Sequence, residues 1–269
     1  MQKLRVALVA RVVPLVSLAA AVFVVAPPGG ANAATSAAPA GAAAAAGCAG
    51  TAYVTSEQGG TVSVLTTATG VVSATIPVGG PARVAITPDG KRAYVTDFVD
   101  GQGDTVSVIT TATGVVSAPI TVGKGPVGVA ITPDGKHAYV ANSGDGTVSV
   151  ITTATGAVAA PITVGSQPGS LAITPDGKHV YVANSAEGTV SVITTATGAV
   201  AAPIVVSQSP GTPGVAIAPD GKHAYVTNIV QGTLSTITTA TGAVSAPITV
   251  GKIPYAVAIC PTRSAPRRR

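Results

Sequence analysis

The chain has no tryptophan, two phenylalanines, one methionine, two cysteines and three histidines in 269 residues. Charged residues make up 9% of it and aromatics 3%, where an ordinary soluble domain is roughly 25% charged. These shortages narrow the possibilities. Three histidines and ten acids leave an enzyme little to work with. Two cysteines with no histidine nearby are too few to hold zinc. Threonine, serine and backbone must make the surface polar in place of charge. What is abundant is apolar: 46% hydrophobic residues exclude a disordered chain. The 32 glycines and 21 prolines punctuate it, and the length allows one large domain or two small ones.

The formal charge of +5 and the pI near 9.4 suggest an anionic partner until the ends are set apart. Residues 1–33 read as a secretory signal. Lys3, Arg5 and Arg11 precede the apolar stretch Val12–Ala26, and Ala31-Asn32-Ala33 offers small residues for cleavage after Ala33. The apolar stretch is short of the ~20 residues that span a bilayer, so cleavage is favoured over an uncleaved anchor. No other segment is long and apolar enough to cross. Residues 34–47 form an Ala-rich linker, and residues 264–269 a basic tail. Without the signal the charge is +2, and without Arg263, Arg267, Arg268 and Arg269 it is −2. The body is faintly acidic, which removes the electrostatic argument for nucleic acid.

That body, residues 48–263, is one unit repeated. Tyr53, Tyr94, Tyr139, Tyr181 and Tyr225 recur at intervals of 41, 45, 42 and 44 residues. Each copy holds four short runs of Val, Ile and Thr, called A to D here. In the fullest copy they are Val129–Ile131, Ala138–Val140, Thr147–Thr152 and Pro161–Val164. Pro133-Asp134-Gly135 marks a tight A–B turn, repeated at Pro88, Pro175 and Pro219. Gly70, Gly114, Gly156, Gly198 and Gly242 mark the C–D turns. Four antiparallel strands per ~43 residues is the arithmetic of a propeller blade. Small and branched residues alternate in run A, as sheets packed on both faces require. Run D opens with Pro119, Pro161, Pro203 and Pro247, which suits an outer edge because proline blocks further pairing.

The repeat is cut out of phase. The body opens on a run B without its A, Cys48 to Tyr53, and closes on a run A without its B, Val257 to Cys260. Together they complete a fifth blade, so the ring is expected to close by pairing the C-terminal run A with the N-terminal run B. Aligned on the turn, Cys260 takes the place of Thr132 and Cys48 that of Asp134. Such positions fall within disulfide reach, ~5–7 Å between Cα atoms. A Cys48–Cys260 disulfide is therefore expected, closing a loop of about 212 residues for roughly 5 kcal/mol in the chain-entropy model.

The segments AYVTS, AYVTD, AYVAN, VYVAN and AYVTN, together with GTVSVI and TPDGK, resemble YVTN-type β-propeller repeats. That family includes surface-layer and exported bacterial proteins and is similar to the seven-bladed lactonase-like propellers. The resemblance implies an all-β propeller with run A innermost. It implies little about a ligand. Five repeats in place of seven depart from the common pattern, and an open or assembled ring is the alternative to closure.

The A–B and C–D turns are near-identical from copy to copy, while the B–C and D–A loops of the opposite face vary. Function is expected on that variable face. Five of six tyrosines fill the repeated slot, leaving Tyr255 as the odd one, and Phe98 is the only phenylalanine outside the signal. With Arg83 nearby they are candidates to grip a glycan or peptide, or else they plug the channel mouth. Asp97, Asp100 and Asp104 gather oxygen ligands in one loop and are weak calcium candidates, without EF-hand spacing. His137, His179 and His223 share one slot. With strands ~4.8 Å apart, equivalent atoms on neighbouring blades at that radius are over ~10 Å apart, which opposes a common metal.

Run A carries no carboxylate or histidine in any copy: ARVAI, VGVAI, GSLAI, PGVAI and YAVAI. A propeller enzyme of the lactonase or lyase type needs such groups converging on the channel. The expectation is a secreted or envelope-associated, non-enzymatic binding scaffold, monomeric and without cofactor, whose partner is a glycan, a peptide or an envelope component. The alternatives are a lactonase- or lyase-like enzyme and a structural cell-surface repeat protein.

Overall fold

The structure is a computed structural model that describes residues 24–25, 50–99, 103–207, 211 and 214–260. The expected signal, linker and basic tail otherwise lie outside the described residues, as do Cys48 and Asp100. No helix among the described residues is long and apolar enough to cross a membrane.

The described chain is all β, in five four-stranded antiparallel sheets. The first contains β1 (Val24–Val25), β2 (Thr51–Ser56), β3 (Thr61–Thr66) and β4 (Val71–Pro77). The second contains β5 (Pro81–Ile86), β6 (Arg92–Asp97), β7 (Thr105–Thr110) and β8 (Ile120–Thr121). The third contains β9 (Pro126–Ile131), β10 (His137–Asn142), β11 (Thr147–Thr152) and β12 (Ile162–Thr163). The fourth contains β13 (Pro168–Ile173), β14 (His179–Asn184), β15 (Thr189–Thr194) and β16 (Ile204–Val205). The fifth contains β17 (Val215–Ile217), β18 (His223–Asn228), β19 (Thr233–Thr238) and β20 (Ile248–Thr249). Each sheet is one blade; in the second to fifth its strands are runs A to D in order, and in the first β1 precedes runs B to D.

The repeated tyrosine sets the packing. Tyr53, Tyr94, Tyr139 and Tyr181 are 1–3% exposed, and each joins an apolar cluster with the following sheet. Tyr53 packs with Val84, Val95 and Ile109, and Tyr94 with Val129, Val140 and Ile151. Tyr139 packs with Ile173, Val180 and Ile193, and Tyr181 with Ile217, Val226 and Ile237. The core is thus a set of layers between consecutive blades. Hydroxyls reinforce it: Tyr94 Oη donates to Thr153 O and Thr96 Oγ1 to Val127 O, both in the next blade.

The A–B turns form a small network. Thr132 Oγ1 donates to Asp134 Oδ1 at 2.6 Å, which also accepts Lys136 N at 3.0 Å. Thr87 and Asp89, and Thr174 and Asp176, repeat it. The threonine hydroxyl, then the other contacts, hold Asp89, Asp134 and Asp176 below the usual carboxylate range. The glycine that follows has φ near +70° in all four turns, a conformation other residues rarely adopt.

The outer strand is shorter than expected. Four copies keep only two residues of it, because Pro119, Pro161, Pro203 or Pro247 interrupts the ladder between an isolated bridge and the strand that follows. The first blade has Thr75 at that place, and its outer strand runs unbroken for seven residues.

The inner edge of the first blade also differs from expectation. Repeat alignment places Ala258 opposite Tyr53 and Ile259 opposite Ala52, as Ala130 lies opposite Tyr139 and Ile131 opposite Ala138. In the structure Val24 and Val25 hold those two partners, and residues 251–260 carry no strand. A two-residue edge pairing is made by backbone groups, which either end of the chain can supply. Cys260 is an exposed free thiol.

Candidate functional site

The variable face is built by main-chain ties. In each of four blades a B–C amide donates to a D–A carbonyl of the same blade: Phe98 N to Gly80 O, Ser143 N to Gly125 O, Ser185 N to Gln167 O and Ile229 N to Gly211 O, at 2.7–3.0 Å. Two carboxylates add to this. Asp145 Oδ2 accepts Lys124 N at 2.7 Å, and Glu187 Oε1 accepts Ser166 N at 2.9 Å. The Ser166 amide is the main reason Glu187 lies below the usual carboxylate range. Sequence reasoning had not singled out Asp145 and Glu187. Their position three residues after the strand-B asparagine was the available signal.

Arg83 leaves β5 on the inner edge of the second blade. Its amide donates to Thr96 Oγ1 at 3.1 Å, and its side chain is half-buried. Burial pushes the guanidinium down from its ordinary value, and nearby Tyr255 acts in the opposite direction. Tyr255 therefore lies within electrostatic range of Arg83. Tyr255 is 38% exposed, and its carbonyl also lies against Gly214 in the fifth blade, 2.9 Å from where a Cβ would stand. The segment carrying Tyr255 thus runs between the inner strands of the fifth and second blades.

Phe98 is half-buried at the start of its loop, and no ring contact joins it to Tyr255 among the described residues. Asp97 turns away from the loop. It is 4% exposed, and its Oδ2 accepts Thr105 Oγ1 at 3.0 Å and Ser107 Oγ at 2.9 Å. Burial raises its pKa, and the two hydroxyls only partly offset that. Asp97 fills the slot of Asn142, Asn184 and Asn228, whose amides donate to the equivalent Thr and Ser. Asp104 is exposed. Asp97 therefore belongs to the blade's internal polar column, and the expected oxygen cluster of Asp97 with Asp104 is not assembled. No group of three or more His, Cys, Asp or Glu among the described residues stands where it could hold a metal. His137, His179 and His223 each open a strand B in a separate sheet.

A crevice of about 330 Å³ opens between the first two blades on the turn side, lined by Tyr53, Ser73, Ile76 and Thr111 among others. It carries no charged group and lies on the opposite face from Arg83.

Known proteins share this arrangement of antiparallel blades. The family model for YNCE-like β-propellers matches residues 136–207. The chain is a β-propeller, and over those residues it is similar to the YNCE-like propellers. Hydrazine synthase of Kuenenia stuttgartiensis is similar in structure, with a TM-score of 0.70 and 28% identity over 78% of this chain and 66% of that one. The propeller thus spans just under two thirds of that chain. Virginiamycin B lyase of Staphylococcus aureus is similar with a TM-score of 0.66 and 16% identity over 77% of this chain and 69% of that one. That second likeness is one of fold alone. No curated protein matches the chain.

Proposed function

We propose that this propeller is an exported, non-enzymatic binding scaffold of the cell envelope or its surroundings, taking a glycan, peptide or envelope component on its variable loop face. The observation that carries the reading is the half-buried Arg83 at the inner edge of that face, in electrostatic range of Tyr255, beside loops held by backbone ties. A signal over residues 1–33 and a Cys48–Cys260 disulfide in the mature protein belong to the same reading. The inner strands support binding over catalysis because they bring neither carboxylate nor histidine to the axis. A glycan, peptide and peptidoglycan array tests this, with Tyr255→Ala and Phe98→Ala as variants. Binding that falls at least tenfold in Tyr255→Ala is the expected result. Silence across the array would leave a structural repeat protein in its place.

A further inference from the structure

One tier of the ring is unequal. The residue just before the Val-Ala-Ile or Leu-Ala-Ile of each run A is Arg83, Gly128, Ser170, Gly214 and Ala256 in chain order. A Cβ at Gly128 would lie 2.3 Å from Gly169 O, and one at Gly214 2.9 Å from Tyr255 O. Two blades therefore have no room there even for a methyl group, while one carries the longest cationic side chain available.

The guanidinium makes no hydrogen bond and no ion pair among the described residues. Six of the described carboxylates are engaged elsewhere, and neither Glu57 nor Asp104 of the same face reaches it. Asp89, Asp134 and Asp176 sit beside the lysines of their own turns on the opposite face. Asp97 accepts from Thr105 and Ser107. Asp145 and Glu187 hold loop amides. An arginine offers five donors in a planar fork, and leaving such a group half-buried without an acceptor is costly. The fork matches the two oxygens of a carboxylate or phosphate.

We propose that Arg83 is the recognition group for an oxyanion, a carboxylate or phosphate on the ligand, bound at the axial mouth of the loop face beside Tyr255. This rests on the binding-scaffold reading and adds the ligand's charge to it. Acidic sugars supply the first kind of group and phosphorylated envelope polymers the second.

The test is calorimetric titration of the whole protein at fixed ionic strength, with glucuronate in one arm and inorganic phosphate in the other. One-to-one binding in at least one arm is expected, and the responding arm names the source. Arg83→Gln should weaken it at least tenfold, Arg83→Lys less, and Lys91→Gln on the turn face not at all. Melting provides a second readout. Relieved of an unpaired charge, Arg83→Gln should raise the ligand-free Tm by about 2–4 °C. No binding in either arm, equal binding in Arg83→Gln, or a lowered Tm in that variant would overturn the proposal. So would binding that appears only in Asp100→Asn, which would make Asp100 the internal counterion. A neutral glycan bound equally by wild type and Arg83→Gln would overturn this inference and leave the scaffold reading standing.

Discussion

Four interfaces between successive blades are alike, and the far side of the fifth, the expected seam with the first, is not. At the four, a tyrosine of strand B is buried against the next sheet. At the seam, Tyr225 is only half-buried. Thr55 and Thr96 reach carbonyls of the next blade, Ala82 O and Val127 O, while Thr227 turns back to Gly214 O in its own blade. The same residue types at the same places thus do different work when the neighbour differs. A repeat supplies half of each interface, and stability comes from the half that the adjacent copy provides.

The seam offers the largest test. In a chain beginning at Ala34, the place that Val24 and Val25 hold on β2 is open to Ala258 and Ile259. Cys48 and Cys260 are then expected to join under oxidising conditions, with a gain of roughly 5 kcal/mol over the reduced protein. Non-reducing peptide mapping and paired melts with and without reductant check it. Two free thiols in the oxidised, leaderless chain would count against closure. Next, Tyr139→Ala should cost about 3–5 kcal/mol by denaturant unfolding, and Tyr225→Ala clearly less. Equal costs would mean that the seam is as well packed as the rest.

A smaller effect separates the second blade from the third to fifth. Asp97→Asn restores the amide found at Asn142, Asn184 and Asn228 and should stabilise the protein at pH 7 by on the order of 1 kcal/mol. Its pH dependence has a definite sign. The folded-state pKa of Asp97 is raised, so above the unfolded value the folded state binds more protons than the unfolded one. This group's contribution to stability therefore falls as pH rises from the unfolded value through the folded one. The fall should vanish in Asp97→Asn, and an unchanged pH profile would contradict the assignment. The turn aspartates act oppositely, since their depressed values give stability that is lost as pH falls through them.

The smallest test concerns the one A–B turn that lacks its threonine. Ala218 stands where the others have Thr87, Thr132 and Thr174, though Asp220 Oδ1 still accepts Lys222 N. Ala218→Thr should add a hydroxyl bond to Asp220 and about 0.5–1 kcal/mol. A melt at neutral pH reads it, and no gain would mean that the hydroxyl adds nothing to this turn.

The blades were legible because their signals are local. Pro-Asp-Gly turns, the Tyr slot and the small-branched alternation each recur within one copy and need no partner to be read. The proline of strand D was also visible, but its consequence was underestimated. It interrupts the ladder and does not merely protect an edge, as Thr75 in the first blade makes plain. The site was less legible. Whether Asp97 faces the loop or the blade depends on the parity of β6 against β7 and on hydroxyls eight and ten residues away. Its identity with the asparagine slot was in the repeat alignment, but a carboxylate in a Gly-rich loop reads first as a ligand. Arg83 and Tyr255 are 172 positions apart, and only the order of blades around the axis brings them into electrostatic range.

The backbone ties between B–C and D–A loops have one more consequence. Phe98, Ser143, Ser185 and Ile229 are held through their amides, and an amide is common to every residue except proline. Side chains on that face can therefore change with little effect on folding. Loop sequences on that face can be exchanged one blade at a time without unfastening the frame.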